Sequence, residues 1–438
     1  MPGKNLTDDI YSKLVDEEDA RVCTELSDSA CHQVPGNFLL MILSHFFSKL
    51  GDALANPKIV LPWVMETVHA PLYLIGFLVP IRESGSLIPQ LFVASYIRAM
   101  KIRKWVWVFG SMVQALAIAG IGLVAWTLDG ATAGWAIIAL VSLFSIARGL
   151  SSVASKDVIG KTVPKSRRGQ VNGWSASAAG LVTVGLALVL LFSSQAQPEP
   201  IAYALLLAGA GCLWVIAALV YAQISEDPGE TDGGGNAFIE AIKRLDILRT
   251  DKAFRHFVIT RALLLCSALT APYYVVLAQK NLDSNASLLA LFLLASGAAS
   301  LVSAPVWGRF ADVSSRKVMI LAALMTAAQG IILFILDHFE HAWLGFSGLI
   351  PALYFCLSIA HQGVRIGRKT YVVDLAQGNR RTDYVAVSNT LIGVILLLMG
   401  FIGALSMVVG VSAVILLLSL LGAAGAGLAV ALPETETP

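Results

Sequence analysis

Long apolar runs recur along the chain, and they limit what it can fold into. Each run holds about 20 residues, the length that an α-helix needs to cross a hydrocarbon layer of ~30 Å. The strands of a membrane barrel would instead alternate polar and apolar residues over about 10 positions. Twelve such runs lie at 37–63, 70–97, 105–127, 133–153, 169–193, 200–222, 254–278, 288–307, 318–336, 343–361, 385–408 and 410–432. The sequence therefore predicts an all-α polytopic membrane protein with twelve transmembrane helices.

Composition supports the same class. Of the 438 residues, 56% are hydrophobic and 14% are charged, which is more apolar surface than a soluble core can bury. Charges interrupt the first two runs, and the boundary between them near residues 66–70 is diffuse. The net charge of +2 does not imply a nucleic-acid partner, because the cations lie at the edges of the apolar runs.

The distribution of Lys and Arg predicts the orientation. Twenty-three of them fall in or beside the even-numbered connections, whereas the other side of the membrane has only Lys58 and Lys280. Since cytoplasmic loops carry the excess of Lys and Arg, both termini are expected in the cytoplasm. We expect an integral protein of the cell (inner) membrane.

A polar stretch in the middle divides six helices from six. It contains EDPGETDGGGN and then a predicted surface helix over Ala237–Leu248. The acidic N-terminal tail carries three cations against eight anions, and it is either a short amphipathic cytoplasmic helix or a solvated segment. The predicted parts are a tail (1–36), a first bundle (37–222), a linker (223–253), a second bundle (254–432) and a C-terminal tail (433–438).

An internal repeat relates the two bundles. A shift of 213 residues places Arg103-Lys104 on Arg316-Lys317, and it places Ser145-Ile146-Ala147 on Ser358-Ile359-Ala360. The same shift carries further positions in register without a gap, which predicts a six-plus-six duplication of the kind found in transporters.

The segment from Gly308 to Lys317, GRFADVSSRK, is a polar stretch between two apolar runs. Gly308 would allow a close backbone approach, and Arg316 and Lys317 would stay at the cytoplasmic lipid surface. Asp312 can accept hydrogen bonds from Arg316, four residues later, or from the amides of a neighbouring helix N-terminus. These four residues are therefore a candidate conformational latch, and the alternative is an ordinary basic turn.

This segment resembles the signature loop G-x-x-x-D-x-x-x-R-[KR] of the major facilitator superfamily of secondary transporters. The helix number, the linker and the repeat extend the resemblance to residues 37–432. In the first half the corresponding loop reads SYIRAMKIRK, with Ser95 in place of Gly and Ala99 in place of Asp. The resemblance therefore implies a latch in the second half only.

The resemblance also implies that the first, fourth, seventh and tenth helices line a central cavity. Ionisable groups in such helices are costly and usually functional. Lys49 and Asp52 share a face of the first helix and are close enough to pair, and Arg261 lies in the seventh. For these three we expect either substrate or proton coupling or a structural ion pair. Arg148 and His361, at repeat-related positions, are either coupling residues or polar groups that snorkel to the headgroups.

Arg82 and Glu83 lie within the second apolar run. Because adjacent helical residues do not face each other, they are expected to have different partners. Glu83 is a candidate for a protonatable carboxylate, and the alternative is a structural pairing between the two bundles.

No motif for a metal, a cofactor or an enzyme active site stands out. The cysteines lack metal-ligand spacing, and the chain has no G-x-x-x-x-G-K-[ST], H-E-x-x-H or G-x-S-x-G motif. We therefore expect a monomeric secondary active transporter, coupled to protons or another ion, that moves an amphiphilic or weakly polar organic solute. Efflux is favoured over uptake. The alternatives are an uptake symporter and a non-transporting receptor or enzyme on the same scaffold.

Overall fold

The computed structural model describes residues 28–164, 167–193, 199–229, 231, 244–282, 285–375 and 380–434. These residues form helices and contain no β-strand. The first half comprises α1 (Asp28–Leu54), α2 (Val60–Thr67), α3 (Leu72–Arg98), α4 (Lys104–Thr127), α5 (Gly130–Thr162), α6 (Arg168–Ser193) and α7 (Pro200–Ala222).

The second half begins with a 3-10 turn (Arg244–Asp246). It continues with α8 (Ile247–Thr250), α9 (Lys252–Leu263), α10 (Cys266–Leu269), α11 (Ala271–Asn281), α12 (Ala286–His338), a 3-10 turn (Ala342–Gly345), α13 (Leu349–Leu375), α14 (Arg380–Met399), α15 (Ile402–Val409) and α16 (Val411–Val430). Most of the predicted surface helix Ala237–Leu248 and most of the acidic tail lie outside the described residues; helix α1 already begins at Asp28.

Ten segments within the described ranges are long and apolar enough to cross a membrane, which confirms the polytopic helical class. The first two predicted segments are not among the ten. They correspond to α1–α2 and α3, which carry the charges of Lys49, Asp52, Arg82 and Glu83.

The first predicted segment is broken, contrary to the continuous helix expected over 37–63. Helix α1 ends at Leu54 and α2 begins at Val60. Pro57 lacks an N–H and disfavours helical geometry in the residue before it, so Asn56-Pro57 interrupts the helix. The Asn56 carbonyl accepts from the N–H of Val60 at 2.9 Å, and its side chain accepts from the N–H of Lys58 at 2.8 Å. The break therefore places Lys58 inside the first membrane segment and not on the outer surface.

The segment Gly308–Lys317, the polar stretch between two apolar runs, is largely helical. Helix α12 runs through it, and only Ser314 has extended backbone angles (φ −163°, ψ 104°). One residue thus separates two helical parts of α12, at 286–313 and 315–338.

The apolar core divides the molecule into two ends. At the far end, which lies away from the basic connections, Trp63 and Leu207 of the first half share one cluster with Tyr274 and Phe292 of the second. At the basic end each half has its own cluster. Phe38, Trp107 and Tyr221 form the first-half cluster, and Phe254, Trp307 and Tyr371 form the second-half cluster. The two halves are therefore joined by a common core at the far end and have separate cores at the basic end.

Two glycines set the closest approach at the far end. Helix α3 packs against α14 and α15. A Cβ added to Gly76 would lie 2.4 Å from the Gly403 Cα, and one added to Gly403 would lie 2.7 Å from the Tyr73 carbonyl oxygen. Because only glycine permits this backbone contact, close helix packing adds to the shared side-chain core in holding the far end closed.

An acidic residue after the last helix of each half holds the loop at the basic end. The Glu226 side chain is fully buried, and its carboxylate accepts from the N–H groups of Arg103 and Lys104 at 2.7–3.0 Å. It also pairs with Lys161 at 2.8 Å. Glu226 therefore caps the N-terminus of α4 as a buried carboxylate.

The second half has a more exposed counterpart. Glu434 accepts from the Ser314 hydroxyl at 2.8 Å and pairs with the Arg316 guanidinium. Arg316 also donates to the carbonyl oxygen of Leu432 at 2.8 Å. The side chains of Arg316 and Glu434 are 24% and 39% exposed. The second clamp is therefore open to solvent, which weakens an ion pair.

This difference predicts unequal effects on stability. Glu226→Gln removes the charge from a fully buried carboxylate and should lower the free energy of unfolding by about 3 kcal/mol. The matched Glu434→Gln should cost no more than about 1 kcal/mol, because the pair is solvent-screened. Thermal unfolding midpoints of the two variants in one detergent measure this. Equal shifts, or a larger shift for Glu434→Gln, would contradict it.

The glycine contact predicts a conformational effect. Gly403→Ala forces backbone overlap costing about 1–3 kcal/mol, so it should shift the population toward a form open at the far end by roughly 5- to 150-fold. The readout is the thiol-labelling rate of a Ser406→Cys reporter, since Ser406 is 3% exposed on α15. Gly209→Ala is the control, because no atom lies within 4 Å of its added Cβ. An unchanged rate in folded Gly403→Ala would show that closure does not depend on this contact.

Candidate substrate cavity

A cavity of about 450 Å³ lies between the two halves. The first half contributes α1, the turn after it and α6, and the second half contributes α10, α11, α12 and α13. Small residues and serines form much of its wall. Its ionisable lining residues are Lys49, Asp52, Lys58, His361 and Arg365.

Asp52 connects three helices of the first half. One carboxylate oxygen accepts from Arg82 of α3 at 3.0 Å, and the other pairs with Arg148 of α5 at 2.5 Å. The Arg82 guanidinium also lies 4.7 Å from the centre of the Phe144 ring, a cation–π contact. Two guanidinium groups thus occupy both oxygens of Asp52.

Lys49 does not pair with Asp52, contrary to the expectation from their spacing. Its ammonium donates to the Asn172 carbonyl oxygen at 2.9 Å and to the Ser175 hydroxyl at 2.6 Å, both on α6. The two arginines already occupy the carboxylate, so Lys49 binds neutral acceptors and makes no direct ion pair with a described residue.

Lys58 starts a chain of hydrogen bonds into the second half. Its Nζ lies 2.9 Å from His361 Nε2, and His361 Nδ1 lies 3.1 Å from the Ser267 hydroxyl, which donates to the Leu264 carbonyl at 3.0 Å. With the ammonium as donor, Nε2 is the acceptor and Nδ1 carries the proton. One of the three Lys58 donors is used in this way.

Arg82 and Glu83 have different surroundings, as expected for adjacent helical residues. Arg82 binds Asp52 directly, whereas Glu83 lies in the electrostatic field of Lys58, Arg365, Arg82 itself and Arg368. Among the described residues, no cation lies within 4.0 Å of the Glu83 carboxylate.

Arg261 lies away from the cavity lining. It donates to the Ser388 hydroxyl at 2.5 Å and to the Asn389 side-chain oxygen at 2.8 Å, so it connects α9 to α14. Arg148 and His361, for which coupling and snorkelling to the headgroups are the two alternatives, both have partners inside the protein. Arg148 is bound to Asp52, and His361 lines the cavity between the halves.

The predicted latch residues are not joined in this conformation. Asp312 is exposed and has no hydrogen bond or ion pair to any described residue, because Arg316 pairs with Glu434 instead. No atom lies within 4 Å of a Cβ added at Gly308, so no close backbone approach occurs there. Lys317 is exposed, and its backbone N–H donates to the Ser314 hydroxyl at 3.2 Å.

Sequence reasoning missed several residues around the cavity. Lys58 was assigned to the outer surface, and Arg365 and Arg368 were counted only as loop cations. The spacing of His361, Arg365 and Arg368, at intervals of four and three, is the signal that places them on one helix face. Lys58 gave no comparable signal, because its position depends on the helix break.

Comparisons with known proteins agree with the architecture. Residues 41–391 match the model of the Major Facilitator Superfamily. A solved POT family transporter in complex with a thioalcohol-conjugated peptide shares 11% identity, with a TM-score of 0.70 over 94% of this chain and 98% of that one. No curated protein matches the chain in sequence.

Two further solved structures have the same fold. The inward-open xylose transporter XylE from E. coli shares 12% identity, with a TM-score of 0.66 over 92% of this chain and 97% of its own. The nucleoside transporter NupG, as its D323A mutant, shares 13%, with a TM-score of 0.63 over 90% and 99%. Since the family model covers most of the chain, this protein belongs to the major facilitator superfamily and is a transporter, not an enzyme.

Proposed function

We propose that this transporter moves a small polar organic solute by alternating access, driven by coupling to protons. The observation that carries the proposal is the cavity between the halves, with ionisable side chains from both of them. It lies where the common far-end core gives way to two separate cores. A site between two bundles that rock about it is the arrangement alternating access requires.

The cavity lining revises the expected solute. An amphiphilic solute needs a wall of large apolar side chains, whereas this wall contains five ionisable residues and several serines. A polar solute does not cross the bilayer unaided, because its hydrogen-bonding groups must be desolvated. We therefore propose uptake by symport, the alternative to the export expected from the sequence.

In this proposal, residues 37–222 and 254–432 move as two bundles linked by residues 223–253. The common core and the glycine contact support a pivot at the far end. Positive-inside orientation makes the basic end cytoplasmic, so the described form is inward-facing.

Glu83 is the proposed proton carrier. Its carboxylate has no ion pair among the described residues, so it can accept a proton without breaking one, whereas both Asp52 oxygens bind guanidinium groups. The nearby cations favour the charged form of Glu83, so its protonation depends on the charges of Lys58 and of Arg365 in the other half, which connects it to the solute cavity.

The function is tested by proton movement into sealed proteoliposomes when solutes from a panel of sugars, peptides, nucleosides and organic acids are added. Glu83→Gln should abolish accumulation against a gradient and leave downhill exchange within about twofold, because the variant lacks only the titrating group. Asp52→Asn should reduce both activities and the thermal midpoint, since it frees two arginines at about 3–5 kcal/mol. Solute-independent proton movement would refute the transport proposal, and accumulation surviving in Glu83→Gln would refute the role of Glu83.

Asp312 is proposed to act when the basic end closes. There it would accept hydrogen bonds from a facing helix, each contributing about 1.5–3 kcal/mol. Asp312→Asn should then raise the inward-open fraction roughly tenfold or more. The labelling rate of a Ser300→Cys reporter in the cavity measures this. Asp337→Asn, at the C-terminal end of α12 and away from the basic end, is the control. Equal labelling rates in native and Asp312→Asn protein would show that the segment acts only as a basic turn and not as a latch.

A further inference from the structure

The charges around the cavity identify a class of solute. We propose that the transporter binds a small organic anion, through a carboxylate or phosphate group, between cations of the two halves. This inference rests on the proposed transport function and names its substrate class.

Cations outnumber carboxylates at the cavity. Among the described residues, six Lys and Arg side chains line it, bind Asp52 or act electrostatically on Lys58, against two carboxylates. The cations are Lys49, Lys58, Arg82, Arg148, Arg365 and Arg368, and the carboxylates are Asp52 and Glu83. A site of one dominant sign, enclosed by low-dielectric walls, concentrates ligands of the opposite sign.

Ion pairs within the protein do not neutralise this excess of cations. Asp52 compensates Arg82 and Arg148 together. In the part of the chain that the structure describes, neither Lys49, Lys58, Arg365 nor Arg368 lies within 4.0 Å of a carboxylate, and the first two bind only neutral acceptors. Arg365 has a single long contact, at 3.5 Å, to the Gln362 side chain.

Unused donors remain on these cations. Lys58 has two N–H groups beyond the one directed at His361. Arg368 Nε is buried and has no hydrogen-bond partner among the described residues. A buried donor without a partner is costly, and a guanidinium binds carboxylate or phosphate through two parallel hydrogen bonds. An anion in the cavity would offer acceptors to the lining residues Lys58 and Arg365, and it would compensate electrostatically the charge of Arg368 beside them.

The cations also lie on opposite sides of the cavity. Lys49 and Lys58 line it from the first half and Arg365 lines it from α13 of the second, whereas Arg368 lies three residues further along α13 and is not a lining residue. Like charges across the cavity repel, which favours separation at the basic end. An anion between them replaces repulsion with attraction on both sides, so its binding would favour closure around it. The volume of about 450 Å³ falls in the range of small-molecule sites.

The first test measures the sign of the electrostatic potential in the cavity, and it does not require the solute to be known. A Ser300→Cys reporter is introduced after the five native cysteines have been replaced. Its reaction rates with anionic sulfonatoethyl and cationic trimethylammonioethyl methanethiosulfonate are compared with those of a small thiol in solution. The anionic-to-cationic rate ratio should be at least tenfold higher in the cavity, because such sites reach potentials of several kT.

Matched variants test whether the named residues cause the raised anionic-to-cationic rate ratio. Lys58→Gln and Arg365→Gln should each lower the ratio severalfold, and Glu83→Gln should raise it. Lys280→Gln, which removes an exposed cation from the end of α11, should leave it unchanged. The thermal unfolding midpoint verifies that each variant is folded, and a Ser347→Cys reporter at an exposed position outside the cavity controls for reagent reactivity. A ratio at or below that of the free thiol, or equal effects of Lys58→Gln and Lys280→Gln, would overturn the inference.

The second test uses matched ligands as protectants of the Ser300→Cys reporter. Gluconate or glucose 6-phosphate should slow labelling at least fivefold more than glucose at equal concentration in lipid-free detergent. Phosphatidylglycerol is added separately, because its phosphate could fill the same cavity. Protection by the lipid and not by the soluble anions, stronger protection by glucose, or no protection at all would overturn the proposal of a small organic anion.

These outcomes are separable from those of the transport proposal. A positive potential with anion protection, but without solute-driven proton movement, would leave an anion site on a protein that does not transport as proposed. Proton movement driven by a neutral solute, with no anionic preference at Ser300→Cys, would retain the transport function and refute the anion.

Discussion

The pair of ion pairs that Asp52 makes with Arg82 and Arg148 is the interaction on which the cavity depends. It fixes α1, α3 and α5 to one another at the depth where the apolar core of the far end stops. A partly buried carboxylate is tolerated there because both of its oxygens are bound by guanidinium groups. With Asp52 fully engaged, Lys49 binds neutral acceptors on α6, and Glu83 is the one carboxylate left to the remaining described cations around the cavity.

The two halves use one device at different strengths. In each half, an acidic residue lies just after the last helix and binds the loop at the basic end. Glu226 is enclosed and caps α4 through backbone N–H groups, whereas Glu434 binds a serine and an arginine at the surface. This difference parallels the loop sequences, since the first-half loop lacks the Gly and Asp that the second retains. The first half is therefore clamped more firmly than the second.

The sequence predicted the helical membrane class and the superfamily, because run length and composition are properties of single segments. Interactions between segments were predicted less well. The spacing of Lys49 and Asp52 allows pairing, but the competing arginines come from helices that no local pattern brings together. Lys58 lines the cavity and does not lie on the predicted outer surface, because Asn56-Pro57 breaks a run that hydropathy alone treats as continuous. Glu226 and Glu434 lie in polar segments, where a carboxylate with a structural role cannot be distinguished by composition from one that is solvated.

The contact between Gly76 and Gly403 has a mechanical consequence. Helix α3 has 27 residues, and the contact lies near its start. About 22 residues beyond it, at ~1.5 Å each, make an arm of roughly 33 Å toward the basic end. A rotation of about 10° at the contact would therefore displace the other end of that arm by about 6 Å, enough to admit or exclude a small solute. If the two halves rock about this contact as proposed, small changes in helix spacing there would be amplified at the basic end.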